Sequence, residues 1–139
     1  MAVFNTNSEQ ETADIAAKIA QTATAGEVFL LEGPMGAGKS VFARAFIRAL
    51  CGADIEVPSP TFTLVQTYDF NNKCIWHFDL YRLESPDEIF EIGWEDAMTT
   101  DVISLIEWPQ KAGRYLPQKS RHITINITAD KGRRIDVND

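Results

Sequence analysis

Little in this 139-residue chain suits crosslinking, metal clusters or membranes. It has two cysteines and two histidines. Cys51 and Cys74 sit in ALCG and KCIW without metal-ligand or redox spacing, so both are expected as reduced core thiols. No segment approaches the roughly 18 apolar residues of a membrane span. The start, MAVFNTNSEQ, lacks the basic stretch and apolar run of a secretory leader, so no membrane partner is expected and the cytoplasm is the expected location. Internal repeats and low-complexity segments are absent as well. Positive charge is scarce: 13 basic residues face 20 acidic ones, for a net charge of -7. A chain of that sign does not coat nucleic acid through general electrostatics. The shortage is uneven, since residues 1–109 carry 6 basic and 17 acidic side chains whereas 110–139 carry 7 and 3. The basic end reads either as solvated surface or as a docking patch for an acidic protein or an RNA.

What is present is the composition of a folded domain. With 45% hydrophobic and 24% charged residues, the length supports one core and too little chain for two, so a single nucleotide-binding domain over 1–139 is expected. Ser8 and Glu11 form a capping box before Ile15, Ala16, Ile19 and Ala20, which predicts a helix over about 8–23. Glu27 to Glu32 is a short apolar run of the kind found in a strand covered on both faces. From Lys39, the residues Val41, Phe42, Ala45, Phe46, Ala49 and Leu50 have helical period, with Gly52 as the stop. Pro58 and Pro60 make VPSPTF an ordered loop. TFTLVQTYDF and CIWHFDLY flank Asn71, Asn72 and Lys73 as an antiparallel hairpin. DEIFEIGWEDAM reads as short helical pieces interrupted at Gly93, VISLIEW as a second buried strand, and RHITINIT with RIDV as a C-terminal hairpin. These elements predict an α/β, P-loop NTPase-like three-layer fold, its central sheet mostly parallel, with antiparallel hairpins and flanking helices.

The chemistry centres on GPMGAGKS, where Gly33, Gly38, Lys39 and Ser40 satisfy G-x-x-x-x-G-K-[ST] between a predicted strand and a predicted helix. Only a glycine-rich loop brings successive backbone amides close to phosphate oxygens. The expected nucleotide contacts are Gly33, Met35, Gly36, Ala37, Gly38, Lys39, Ser40 and Val41. Lys39 is expected to bridge the β- and γ-phosphates and the Ser40 hydroxyl to hold Mg²⁺; the following helix adds its positive dipole end. An acidic group at a neighbouring strand end is also needed. Glu107, ending VISLI, is favoured over Asp79, ending CIWHF, because a central parallel strand delivers its last residue to the ligand edge. Thr61, in the proline-stiffened loop, is either a turn hydroxyl or a group that reaches the γ-phosphate or Mg²⁺. Trp108 reads as core or as a ligand contact, His77 as structural and His122 as surface. Asn72 and Lys73 resemble the start of a guanine-reading Asn-Lys-x-Asp motif, but Ile75 replaces its Asp, which favours ATP over GTP.

Four motifs in one order, GPMGAGKS, SPTFTLVQTYD (Ser59 to Asp69), HFDLYRL (His77 to Leu83) and LIEWPQ (Leu105 to Gln110), resemble the TsaE family, formerly called YjeE, from the first helix to the last hairpin. The resemblance implies an accessory P-loop ATPase that works with TsaB and TsaD in making threonylcarbamoyladenosine at position 37 of tRNA, touching tRNA only indirectly. It implies phosphate contact for Lys39, the magnesium hydroxyl for Ser40, the loop threonine for Thr61, and an essential acidic pair in Asp79 and Glu107 with Trp108 beside them. This chain departs from the family where Pro34-Met35 replaces Asp-Leu and Ser40 replaces Thr; the second change keeps the hydroxyl. No arginine finger is placed on the P-loop unit, so slow turnover in isolation is expected, with Arg82 or a partner's arginine as candidate donors. Two other classes compete: a binding module whose nucleotide state only sets partner affinity, and a small-molecule kinase, which would need an arginine-bearing lid.

Overall fold

The computed structural model describes residues 2–138; Met1 and Asp139, at the ends of the expected domain, lie outside it. Seven strands form one sheet: β1 (Ala2–Thr6), β2 (Val28–Glu32), β3 (Val65–Phe70), β4 (Lys73–Asp79), β5 (Val102–Glu107), β6 (Arg121–Ile127) and β7 (Arg133–Asn138), in the order β1-β7-β6-β2-β5-β4-β3. β6, β2, β5 and β4 are mutually parallel, whereas β1 with β7, β7 with β6, and β3 with β4 pair antiparallel. Parallel pairing is thus confined to the centre and antiparallel hairpins lie on either side of it, the mixed arrangement expected. The reason is that hairpins, which need only a short turn, account for both flanks.

Two helices, α1 (Glu9–Thr22) and α2 (Lys39–Cys51), cover one face of the sheet. The Ser8 side chain accepts from the Glu11 amide and caps α1, as the capping box predicts. Phe42 and Phe46 of α2 pack on Phe29 and Leu31 of β2, and on Ile123, Ile125, Ile135 and Val137 of the C-terminal hairpin. The opposite face of the sheet carries the 3₁₀ helix Pro86–Ile92, the single-turn helix α3 (Trp94–Ala97) and the 3₁₀ helix Pro109–Tyr115. These cover Val28, Leu30, Phe78 and Ile106 with Ile89, Trp94 and Ala112. Alternation along the strands therefore sorts side chains into two cores, and the three-layer α/β architecture follows.

The same alternation positions the site. On β4 the side chains facing α2 are Ile75, His77 and Asp79; on β5 they are Ile103, Leu105 and Glu107. Apolar at the start of the strands, this row turns polar at their carboxyl ends, beside the N-terminus of α2. One strand escaped the sequence reading: β1 forms the edge, buries only Thr6 fully, and pairs with β7.

Candidate nucleotide site

The loop from Gly33 to Gly38 joins β2 to α2, and its glycines answer two different demands. Gly33, with φ +144°, lies so close to β6 that an added Cβ would meet the Ile125 carbonyl oxygen at 2.2 Å. Gly38 caps α2 in the left-handed region, φ +110°, and among the described residues none beyond its own chain neighbours comes within 4 Å of where its Cβ would stand. The first glycine lets the backbone approach its neighbour. The second leaves an open concavity lined by backbone at a helix N-terminus, the geometry that receives an anion.

Lys39 leaves that concavity with its side chain almost entirely buried. Its Nζ donates to the Gly33 carbonyl at 2.6 Å and lies 3.6 Å from the centre of the Trp108 ring. Burial pushes its ammonium below the ordinary lysine range, and the nearby carboxylates of Glu107 and Asp79 offset part of that effect. Trp108 holds a left-handed backbone, φ 56° and ψ 51°, which is uncommon for a bulky residue. Its ring also rests on Tyr81, with centroids 4.9 Å apart.

Asp79 and Glu107 are register partners on adjacent parallel strands, exposed by only 6% and 3%. Both reach the same edge, so strand position does not rank them as the sequence reading did. Their tethers differ. Asp79 accepts from the Thr61 hydroxyl at 3.2 Å and from the Tyr81 amide at 3.1 Å, and Thr61 also bonds Ser59 at 2.7 Å. Glu107 is held by His77, whose Nε2 lies 2.7 Å from its Oε2.

A cleft of about 410 Å³ gathers Met35, Gly36, Gly38, Lys39, Ser40, Val41, Thr61, Asp79, Glu107 and Trp108, most of the residues expected of the site. Gly33 and Ala37 do not line it. Gly33 presents its carbonyl to Lys39 instead, and Ala37 is buried behind the loop. The donors fit a magnesium nucleotide: loop amides and an ammonium for phosphates, and an exposed Ser40 hydroxyl with two carboxylates for a hard divalent cation. A second cleft, about 260 Å³, shares Gly36, Gly38 and Val41 with the first and extends between Ser8, Thr12, Lys131 and Arg133.

Two contributors were not foreseen. Arg133 of β7 donates from Nε to the Ala37 carbonyl at 2.8 Å and from Nη2 to the Gly36 carbonyl at 3.3 Å, bracing the loop from behind. Nothing local in KGRR signals a contact so distant in the chain. His77 did carry a signal, since it precedes Asp79 by two residues and so shares its face. Arg82 lies over the exposed Phe62 ring at 4.3 Å and does not line the cleft. The Asn71-Asn72 turn joins β3 to the start of β4, the end of the sheet opposite the P-loop, and cannot read a base there.

A family model described as "Threonylcarbamoyl adenosine biosynthesis protein TsaE" matches residues 6–135. A Rickettsia conorii protein named tRNA threonylcarbamoyladenosine biosynthesis protein TsaE is 47% identical over 104 residues; the match covers 75% of this chain but only 59% of that relative's length. Proteins of the same name from Rickettsia bellii and Bacillus subtilis are 38% and 35% identical, with coverage of 94% and 95% of this chain and 90% and 82% of theirs. The crystal structure of Bacillus subtilis YdiB superposes with a TM-score of 0.76 at 30% identity, covering 96% of this chain and 82% of that one. Agreement that runs from β1 to β7, in sequence and in fold alike, makes this chain a member of the TsaE family.

Proposed function

We propose that this chain binds ATP with Mg²⁺, hydrolyses it slowly, and serves as the nucleotide-dependent accessory component of a TsaB–TsaD complex that makes N6-threonylcarbamoyladenosine in tRNA. It does so as a single domain over 1–139 in the cytoplasm, touching tRNA only through the complex. No helix among the described residues is long and apolar enough to cross a membrane. The observation that carries the reading is one cleft lined by the P-loop, Lys39, Ser40, Thr61 and the two buried strand-end carboxylates.

The roles follow from position. Amides of the loop and the first turn of α2 take the phosphates, and Lys39, already desolvated, gives its charge to them at little further solvation cost. Ser40 and Glu107 would hold Mg²⁺, which when bound neutralises charge on the phosphoryl oxygens. Glu107 orients the attacking water, and Thr61, tied to Asp79 in the free protein, is placed to exchange that partner for the terminal phosphate. The second cleft, continuous with the loop, gives the nucleoside its place.

Reconstitution tests the proposal. With TsaB, TsaD, tRNA and ATP, the wild-type chain should sustain tRNA modification and Lys39→Ala should not. Equal modification by both, or full support from a non-hydrolysable ATP analogue, would remove the hydrolase from the account.

A further inference from the structure

Three buried charged groups meet in the site without pairing. Among the described residues Lys39 forms no ion pair, although Glu107 and Asp79 are close enough to act on its proton affinity. Each group is tethered elsewhere: Lys39 to the Gly33 carbonyl, Asp79 to Thr61 and the Tyr81 amide, Glu107 to His77. Of these tethers, His77 is a titratable side chain that lies outside the cleft. It is 2% exposed and does not line the cavity, whereas Glu107 does.

A carboxylate only accepts, so the proton of the 2.7 Å contact belongs to His77 Nε2. Nδ1 is buried and has no hydrogen-bond partner among the described residues. That asymmetry matters, because a histidine kept for packing or for a polar network would use both ring nitrogens, and an apolar side chain like Ile75, two residues earlier on the same face, would fill the space without orphaning one. The single useful feature of the ring is a donor aimed at Oε2 of Glu107.

We propose that His77 is a positioning residue for Glu107: by donating Nε2–H to Oε2, it fixes the carboxylate's rotation, keeps it from collapsing onto Lys39, and leaves Oε1 for the cleft. The proposal rests on the reading of Glu107 given above, and it assigns His77 no contact with nucleotide or water. Outer partners of this kind change activity about 10- to 100-fold when removed.

Two measurements on the 139-residue chain test it. In ¹H–¹⁵N correlation spectra of the imidazoles, His77 should show a protonated Nε2 and a bare Nδ1, and the Nε2–H signal should move in Glu107→Gln. A proton on Nδ1, or a signal indifferent to Glu107→Gln, overturns the proposal without any assay of activity. In ATP turnover with TsaB and TsaD, His77→Leu should lower kcat by about 10- to 100-fold with KM for ATP within about twofold. His77→Gln, whose amide N–H restores a donor, should recover most of the loss. Equal loss in both variants, at wild-type melting temperature, would leave packing as the explanation and overturn the proposal. Full turnover in His77→Leu beside an inactive Glu107→Ala sinks this proposal alone, whereas full turnover in Glu107→Ala sinks the reading of Glu107 and this proposal with it.

Discussion

Two strand pairs flank β2 and show the same face to the same helices, yet they are built differently. On the C-terminal side, the buried part of the row from β6 and β7 is Ile123, Ile125, Ile135 and Val137, all apolar, with Arg121, Ile127 and Arg133 at its more exposed ends. On the other side, the row from β4 and β5 begins with Ile75 and Ile103 and ends with His77, Asp79 and Glu107, equally buried. Burial alone does not separate them. The difference is that the first row gains stability from every atom it removes from water, whereas the second holds charges whose desolvation costs stability unless a ligand completes them. One half of the sheet supports the fold, and the other uses that support to hold a destabilised site.

Substitutions should expose this division. The largest effect is expected for Glu107→Gln: steady-state ATP turnover with partner proteins should fall about 10²- to 10⁴-fold, with a urea midpoint equal to or above wild type. A lower midpoint would mean that the carboxylate stabilises the fold and would break the comparison. Next, Ile123→Ala, a truncation in the apolar row, should cost about 2–5 kcal/mol in urea unfolding while leaving the affinity of the folded protein for a magnesium–ATP analogue within about twofold. Lys39→Met should reduce that affinity about 100-fold by calorimetry, the equivalent of roughly 2.7 kcal/mol for one charge-assisted contact. The smallest effect concerns pH in the nucleotide-free protein. Burial lowers the Lys39 ammonium below 10.5, so as pH rises the folded state releases this proton before the unfolded state does. Stability should gain through the interval just below pH 10.5. The gain should vanish in Lys39→Met, and an identical pH profile for the two proteins would show that the lysine carries no such cost.

Much of this was legible in the amino-acid order. The Gly-rich loop between an apolar run and a helical period, both hairpins, the break at Gly93 and the acidic strand ends each follow from local pattern. What escaped depended on distant neighbours. AVFNT offers no buried alternation because β1 is an edge strand that fully buries only Thr6, so its pairing is decided by β7. Arg133 shows how the basic C-terminal segment is spent: its guanidinium goes to P-loop carbonyls, Arg134 pairs with Asp136, and Arg121 pairs with Glu27. Charge counted along the chain therefore overstates what that segment presents to a partner. Cys51 and Cys74, expected in the core, are only partly buried, though both thiols are free and burial pushes Cys51 up to about 11.

The pairing of Ala2 with Val137 and of Thr6 with Arg133 has a consequence for how the chain is made. β1 precedes every other strand and has no neighbour to bond until β7 has emerged, so it is among the last strands to be fixed. α1, α2 and the parallel centre can assemble around β2 while β1 waits with unpaired amides, exposed to any other strand it meets. A nascent chain that stalls before β7 would carry β1 unpaired, and the phosphate loop, lacking Arg133 behind it, would be unbraced at the same moment.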